Sequence, residues 1–216
     1  MILSSDAETL WGAATGLARA VAEVSRDPGR PALLFFTDPV RTPEPWRTAA
    51  ALPPGAAVVY RAFGAAGARD TAERLRRVTA ERGVRLLIGL DAELASAVGA
   101  DGVHLPERLL ERAADLRQRY PRWQITGAVH SASALAGAGT LSAAVLSPVF
   151  LAGGASAARP ALGVTAFTAA VRAAPVPVYA LGGINADNAD ALKVSGACGL
   201  AGVASIQAAF GHAVRI

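Results

Sequence analysis

Residues along this chain fall into short, mainly apolar runs, and between the runs apolar residues return at helical spacing. The runs lack the polar alternation of a half-solvated strand and read as strands covered on both faces. They lie at 32–36, 58–61, 84–88, 103–105, 124–129, 143–149, 178–181 and 200–203. The intervening pattern predicts helices over 70–82, 92–98, 107–119, from about 133, over 165–173 and over 188–194. Asn185 stands where an N-cap for the last of these belongs. Ahead of the first strand, Leu10, Trp11, Ala14, Leu17, Ala18 and Val21 predict a helix over 5–24, capped by Ser5 or Asp6 and ended by Asp27-Pro28-Gly29.

Strands alternating with helices argue for a parallel sheet, and eight of them for a closed (β/α)8 TIM barrel of the α/β class. The expected organisation is one domain over 1–216, with 1–30 as an extra N-terminal helix and linker and 31–216 as the barrel. That helix belongs outside the first strand or over the barrel bottom. An open doubly wound sheet is the rival; no GxGxxG follows the first strand, which disfavours a dinucleotide fold. An internal echo supports closure. Val98-Gly99-Ala100-Asp101-Gly102-Val103 returns as Ser195-Gly196-Ala197-Cys198-Gly199-Leu200, an offset of 196 − 99 = 97 residues, near four βα units. Both copies end a helix and begin a strand at the bottom of the barrel, where turns report on stability rather than chemistry.

Composition adds limits. The chain is 52% hydrophobic and 18% charged, enough for a large core. Its formal charge is +4, and Lys193 is its only lysine. The arginines scatter over predicted helices as solvated faces, which argues against nucleic acid and fits a mild attraction for phosphorylated small molecules. Cys198 stands alone, so neither a disulfide framework nor a zinc site is expected. No run has the length and apolarity of a membrane span. Asp6 and Glu8 occupy the place of a basic signal-peptide start, so a cytoplasmic setting is expected. Homo-oligomerisation is left open.

Chemistry in such a barrel gathers where strands end. The candidates are Thr37, Asp38, Tyr60, Arg61, Gly89, Asp91, His104, His130, Ser131, Ser147, Arg159, Asn185 and Ser205. Arg61 either holds an anion bidentately or sits on the outer rim. His130 either moves a proton near neutral pH or caps the next helix. His104 either joins it or packs at a helix start, and His212 belongs to the surface. Ser147 lacks a Gly-x-Ser-x-Gly setting, so it is not a nucleophile. The small-residue stretch 151–163 suits a lid or a plain linker. Glycines at 182 and 183, and the segment from Gly202 to Ser205, leave backbone amides that can close on a phosphate. The loops after strands seven and eight are the usual phosphate site of such barrels.

Four motifs carry a resemblance: Leu181-Gly182-Gly183-Ile184-Asn185, Ala100-Asp101-Gly102-Val103-His104-Leu105, Ser147-Pro148-Val149-Phe150 and Gly127-Ala128-Val129-His130-Ser131. Together, in this order, they resemble the thiamine-phosphate synthase family with its thiazole tautomerase relatives. The resemblance implies a TIM barrel binding a phosphorylated thiazole at its top. Carried over by position, it implies that Gly182, Gly183, Val203, Ala204 and Ser205 cradle the phosphate, with Gly163 helping to close the site.

Departures from the family pattern choose among its reactions. The synthase uses Mg²⁺ to neutralise a leaving pyrophosphate. Its metal-binding acid after strand three lies in an Asn-Asp pair that aligns with Gly89-Leu90, with Asp91 one place on as a more natural helix cap, and its second acid faces Pro106-Glu107-Arg108-Leu109. Its Arg-x-Lys clamp reads Arg61-Ala62-Phe63. Its Thr-x-Thr-Lys falls in 151–158, with Ser156 and Arg159 as partial substitutes on a lid. The tautomerase relatives need only a phosphate anchor and a histidine in the Val-His-Ser setting. The leading expectation is therefore metal-free proton transfer through His130 on a thiazole phosphate carboxylate whose carboxylate Arg61 holds, without cofactor. The alternatives are a non-catalytic phosphate-ligand protein and a synthase with a rearranged Mg²⁺ site.

Overall fold

In the computed structural model, residues 3–25, 29–62, 64–153 and 158–211 are described. The predicted runs form eight parallel strands: β1 (Leu33–Phe36), β2 (Ala57–Tyr60), β3 (Arg85–Gly89), β4 (Gly102–Leu105), β5 (Gln124–Val129), β6 (Ala143–Leu146), β7 (Val178–Leu181) and β8 (Gly199–Gly202). They close in chain order, with β1 pairing β8 through Phe35 and Gly202.

Two-residue periodicity sorts their side chains. Leu34, Phe36, Val59, Leu87, Val145, Tyr179 and Ala201 fill the barrel, while Leu33, Phe35, Val58, Leu86 and Ile88 pack outward against helices. The helices are α1 (Ser5–Ser25), α2 (Pro45–Ala51), α3 (Ala68–Arg82), α4 (Ala92–Ala97), α5 (Arg112–Arg119), α6 (Ala132–Ala136), α7 (Gly163–Ala173) and α8 (Ala204–Phe210). The repeated motif lies at the bottom as expected. Gly102 and Gly199 run so close to the carbonyls of Gln124 and Ala32 that an added Cβ would lie 1.9 and 2.3 Å from those oxygens. Asp101 there accepts bonds from Leu86 N and Arg76, each at 2.8 Å.

Several elements differ from the sequence reading. The N-cap of α1 is Ser4, whose Oγ accepts from Ala7 N and donates to Ala209 O, tying the helix to α8. The helix expected over 107–119 is a 3-10 turn, Glu107–Leu109, followed by α5. The one expected over 188–194 is only a 3-10 turn, Ala189–Leu192. α1 packs against that turn, β1, β8 and α8, so it occupies the outer layer where a full crossover helix would lie. α2 and α8 were not anticipated. Ser156 and His212 lie outside the described residues.

Candidate functional site at the barrel mouth

The inward positions of the strands, continued by two residues, give the rim of the mouth. Val59 leads to Arg61, Leu87 to Gly89, Val145 to Ser147, Leu181 to Gly183 and Ala201 to Val203. The same count from Thr126 leads through Ala128 to His130. Tyr60, by contrast, packs in the outer core.

Arg61 is pinned across the mouth. Its backbone N donates to Thr37 Oγ1 at 2.9 Å and its Nε to Thr37 O at 2.7 Å. Its guanidinium lies 5.3 Å from the centroid of Phe36. Gly89 makes room for it, since a Cβ there would sit 3.2 Å from Arg61 Cγ. Burial pulls its pKa down to about 10, which still leaves a cation at neutral pH. Arg61 lines a cavity of about 150 Å³ between the segments after β1 and β2, together with Asp38, Thr42, Tyr60 and Thr71. Asp38 is committed to the loop around it: Oδ1 accepts from Val40 N and Arg41 N, and Oδ2 from Arg41 Nη2. The Arg41 hydrogen bond holds its carboxyl down at about 2.

His104 is inside the barrel, not at a helix start. Its Nδ1 lies 3.0 Å from Thr126 Oγ1 and its ring meets Phe36 edge-on, with centroids 4.9 Å apart. Burial, then the charges of Arg61 and His130, lower its pKa to about 3, so the ring is neutral.

His130 stands one step higher and is half-buried. It does not cap α6; Ser131 does, accepting from Ala134 N at 3.1 Å. The His130 backbone N donates to Glu107 Oε2 at 2.6 Å. Its Nδ1 lies 3.1 Å from Ser147 O and 3.2 Å from Ser147 Oγ. A carbonyl oxygen only accepts, so a protonated Nδ1 donates to it and leaves the lone pair on Nε2, whereas the Ser147 hydroxyl donates to an unprotonated Nδ1; the tautomer decides which contact is made. Ser147 is 2% exposed and is a partner of the ring. No spacing in the chain announced Glu107 or Ser147 in these roles, because each pairing spans about twenty residues.

The β7–β8 side is built of backbone. Gly182 and Gly183 have φ of 103° and 66°, open to glycine at little cost. Added Cβ atoms would lie 2.7 Å from Pro148 Cα and 2.3 Å from Leu151 O. The close approach these glycines permit is therefore first to the loop after β6. Among the described residues, the amides of Gly183, Ala204 and Ser205 reach no protein acceptor. The Gly163 amide donates to Val149 O at 2.9 Å, so Gly163 contributes the turn into α7 and not an amide. Arg159 is exposed on the loop before α7.

The residues at the positions of the family's metal acids are apolar or engaged elsewhere. Leu90 is apolar, Asp91 Oδ1 accepts from Leu94 N as the cap of α4, and Glu107 Oε2 holds His130 N. Among the described residues no three His, Cys, Asp or Glu side chains come together in a metal-binding group. No described helix is long and apolar enough to cross a membrane.

Fold and rim define a TIM-barrel protein whose candidate site residues gather at the carboxyl ends of the strands. The chain belongs to the thiamine monophosphate synthase family, whose model matches residues 35–208. It is 31% identical over 139 residues to a thiamine-phosphate synthase of Methanoculleus marisnigri, covering 63% of this chain and 66% of that protein. It is 32% identical over 140 residues to a putative thiamine-phosphate synthase of Geobacter sulfurreducens, covering 63% and 65%. The matches thus span just under two thirds of these relatives' lengths. The fold is shared with thiamine phosphate pyrophosphorylase from Pyrococcus furiosus, with a TM-score of 0.69 and 24% identity over 83% of this chain and 91% of that one.

Proposed function

We propose that this protein binds a phosphorylated thiazole carboxylate at the barrel mouth and isomerises its ring by proton transfer through His130, without a metal. The observation that supports the reading is the Ser147 carbonyl against His130 Nδ1, which favours the tautomer with its base on Nε2. Nε2 takes a proton from one ring atom and returns it to another, so the reaction is an isomerisation with no net proton. Arg61 holds the ring carboxylate as a fixed guanidinium fork. The phosphate sits against the amides of Gly183, Ala204 and Ser205, with Gly182 and Val203 shaping the cradle and Gly163 closing the turn beside it.

The test is ring isomerisation of thiazole phosphate carboxylate followed by NMR. His130→Ala is expected to slow it by about 10²-fold or more, the range for a positioned acid–base group. An unchanged rate removes the role. A second reading is favoured by the relatives' printed names: thiamine-phosphate synthase activity on a pyrimidine pyrophosphate and a thiazole phosphate. Mg²⁺-dependent formation of thiamine phosphate would select it. Tight binding of thiazole phosphate with neither reaction would select a binding protein.

A further inference from the structure

The double-glycine turn after β7 is held from two sides by its carbonyls. Gly182 O accepts from Phe150 N at 3.0 Å, and Gly183 O accepts from Asn188 Nδ2 at 2.9 Å. Asn188 and Asn185 also clasp each other. Asn188 Oδ1 accepts from Asn185 N at 3.0 Å, while Asn185 Oδ1 accepts from Asn188 N at 3.2 Å and from Asp187 N at 3.0 Å.

Both peptide links in the turn are trans. In a planar trans peptide the C=O and the next N–H point in opposite directions. Drawing Gly182 O toward Phe150 therefore turns Gly183 N–H the other way, and drawing Gly183 O toward Asn188 turns Ile184 N–H away from Asn188. Two successive amides receive their directions from outside the turn. Glycine torsions are soft enough that without these ties the amides would sample several directions.

We infer that Asn188 is a positioning residue for the oxyanion cradle, aiming the Ile184 amide as a donor beside that of Gly183 without touching the ligand. This rests on the proposed phosphate site, and it adds to that site one donor and one residue. The ligand class is a phosphate monoester, whose tetrahedral oxygens suit several fixed amides.

The experiment titrates thiazole phosphate, and separately the unphosphorylated thiazole alcohol, into wild type, Asn188→Ala and Asn188→Asp, with thermal melting alongside. Asp keeps an acceptor for Asn185 N but presents no amide donor to Gly183 O. Both variants are expected to lose about tenfold in thiazole phosphate affinity relative to the alcohol. Wild-type affinity for thiazole phosphate in a variant that merely melts lower would overturn the inference and leave the phosphate site standing. No binding of thiazole phosphate by wild type would overturn both. If the variants do not fold, ¹⁵N–¹H spectra of wild type decide: the Gly183 and Ile184 amides must shift together on titration, and a still Ile184 amide rejects the role.

Discussion

The two sides of the barrel mouth are made differently. From β1 to β6 the mouth is lined chiefly by side chains held from other segments: Arg61 by Thr37 and Phe36, His130 by Ser147 and Glu107, and, one step below, His104 by Thr126. From β7 to β8 it consists of main chain, with Gly182, Gly183, Ala204 and Ser205 at the edge. A side-chain wall can change charge and move protons. A backbone wall cannot titrate, and its donors stay as they are at any pH. Substitution should divide the same way, costing chemistry on the first side and folding on the second.

The largest break in that contrast is Gly183→Ala. The new Cβ would lie 2.3 Å from Leu151 O at a φ of 66°, so both the turn and the loop after β6 must shift. We expect a loss of about 2–4 kcal/mol, read as a fall of roughly 5–15 °C in the melting temperature. A melting temperature within about 2 °C of wild type would show that the turn is not held as described.

The second prediction concerns His104 on the side-chain wall. Its folded pKa is lowered from 6.5 to about 3. The unfolded chain therefore takes up a proton as pH falls below 6.5, while the folded chain stays neutral until about 3. The stabilising effect is fully present above the unfolded value and is lost as pH falls through this window. Denaturant unfolding of wild type against His104→Leu should show wild type losing ground between these limits, with a slope approaching 1.4 kcal/mol per pH unit. Parallel curves for the two proteins would mean that the ring is open to protons in the folded state.

The contrast also explains which parts of the molecule were legible in the chain. Both-face burial makes the barrel strands short, mainly apolar runs, so all eight strands and their closure could be read. α2 and α8 could not. They are seven-residue segments, Pro-Trp-Arg-Thr-Ala-Ala-Ala and Ala-Ser-Ile-Gln-Ala-Ala-Phe, too short and alanine-rich to show a period. The helix expected after β7 fails for a tertiary reason: α1, far away in sequence, already covers that flank. At the mouth, reading strand ends alone put both Tyr60 and Arg61 among the candidates. Counting by two from the inward residues would have separated them. Partners such as Glu107 for His130 follow from barrel closure, and no local pattern carries them.

The smallest expected effect lies at the loop after β1. Asp38→Asn keeps an oxygen for the amides of Val40 and Arg41 and removes the charge, with its acceptor oxygen, facing Arg41 Nη2 at 2.9 Å. The pair is partly solvated, so the loss at neutral pH should stay below about 1 kcal/mol and shrink further in salt. Its sign follows from a carboxyl depressed from 3.8 to about 2. Wild type should hold its small advantage above the upper value and surrender it as pH falls to the lower one, because protonated Asp38 no longer attracts Arg41. His104 responds over a higher range, so the two variants separate the buried inward group from the solvated loop in a single pH series. An advantage of wild type that persisted at pH 2 would place the stabilisation in the shape of the loop and not in its charge.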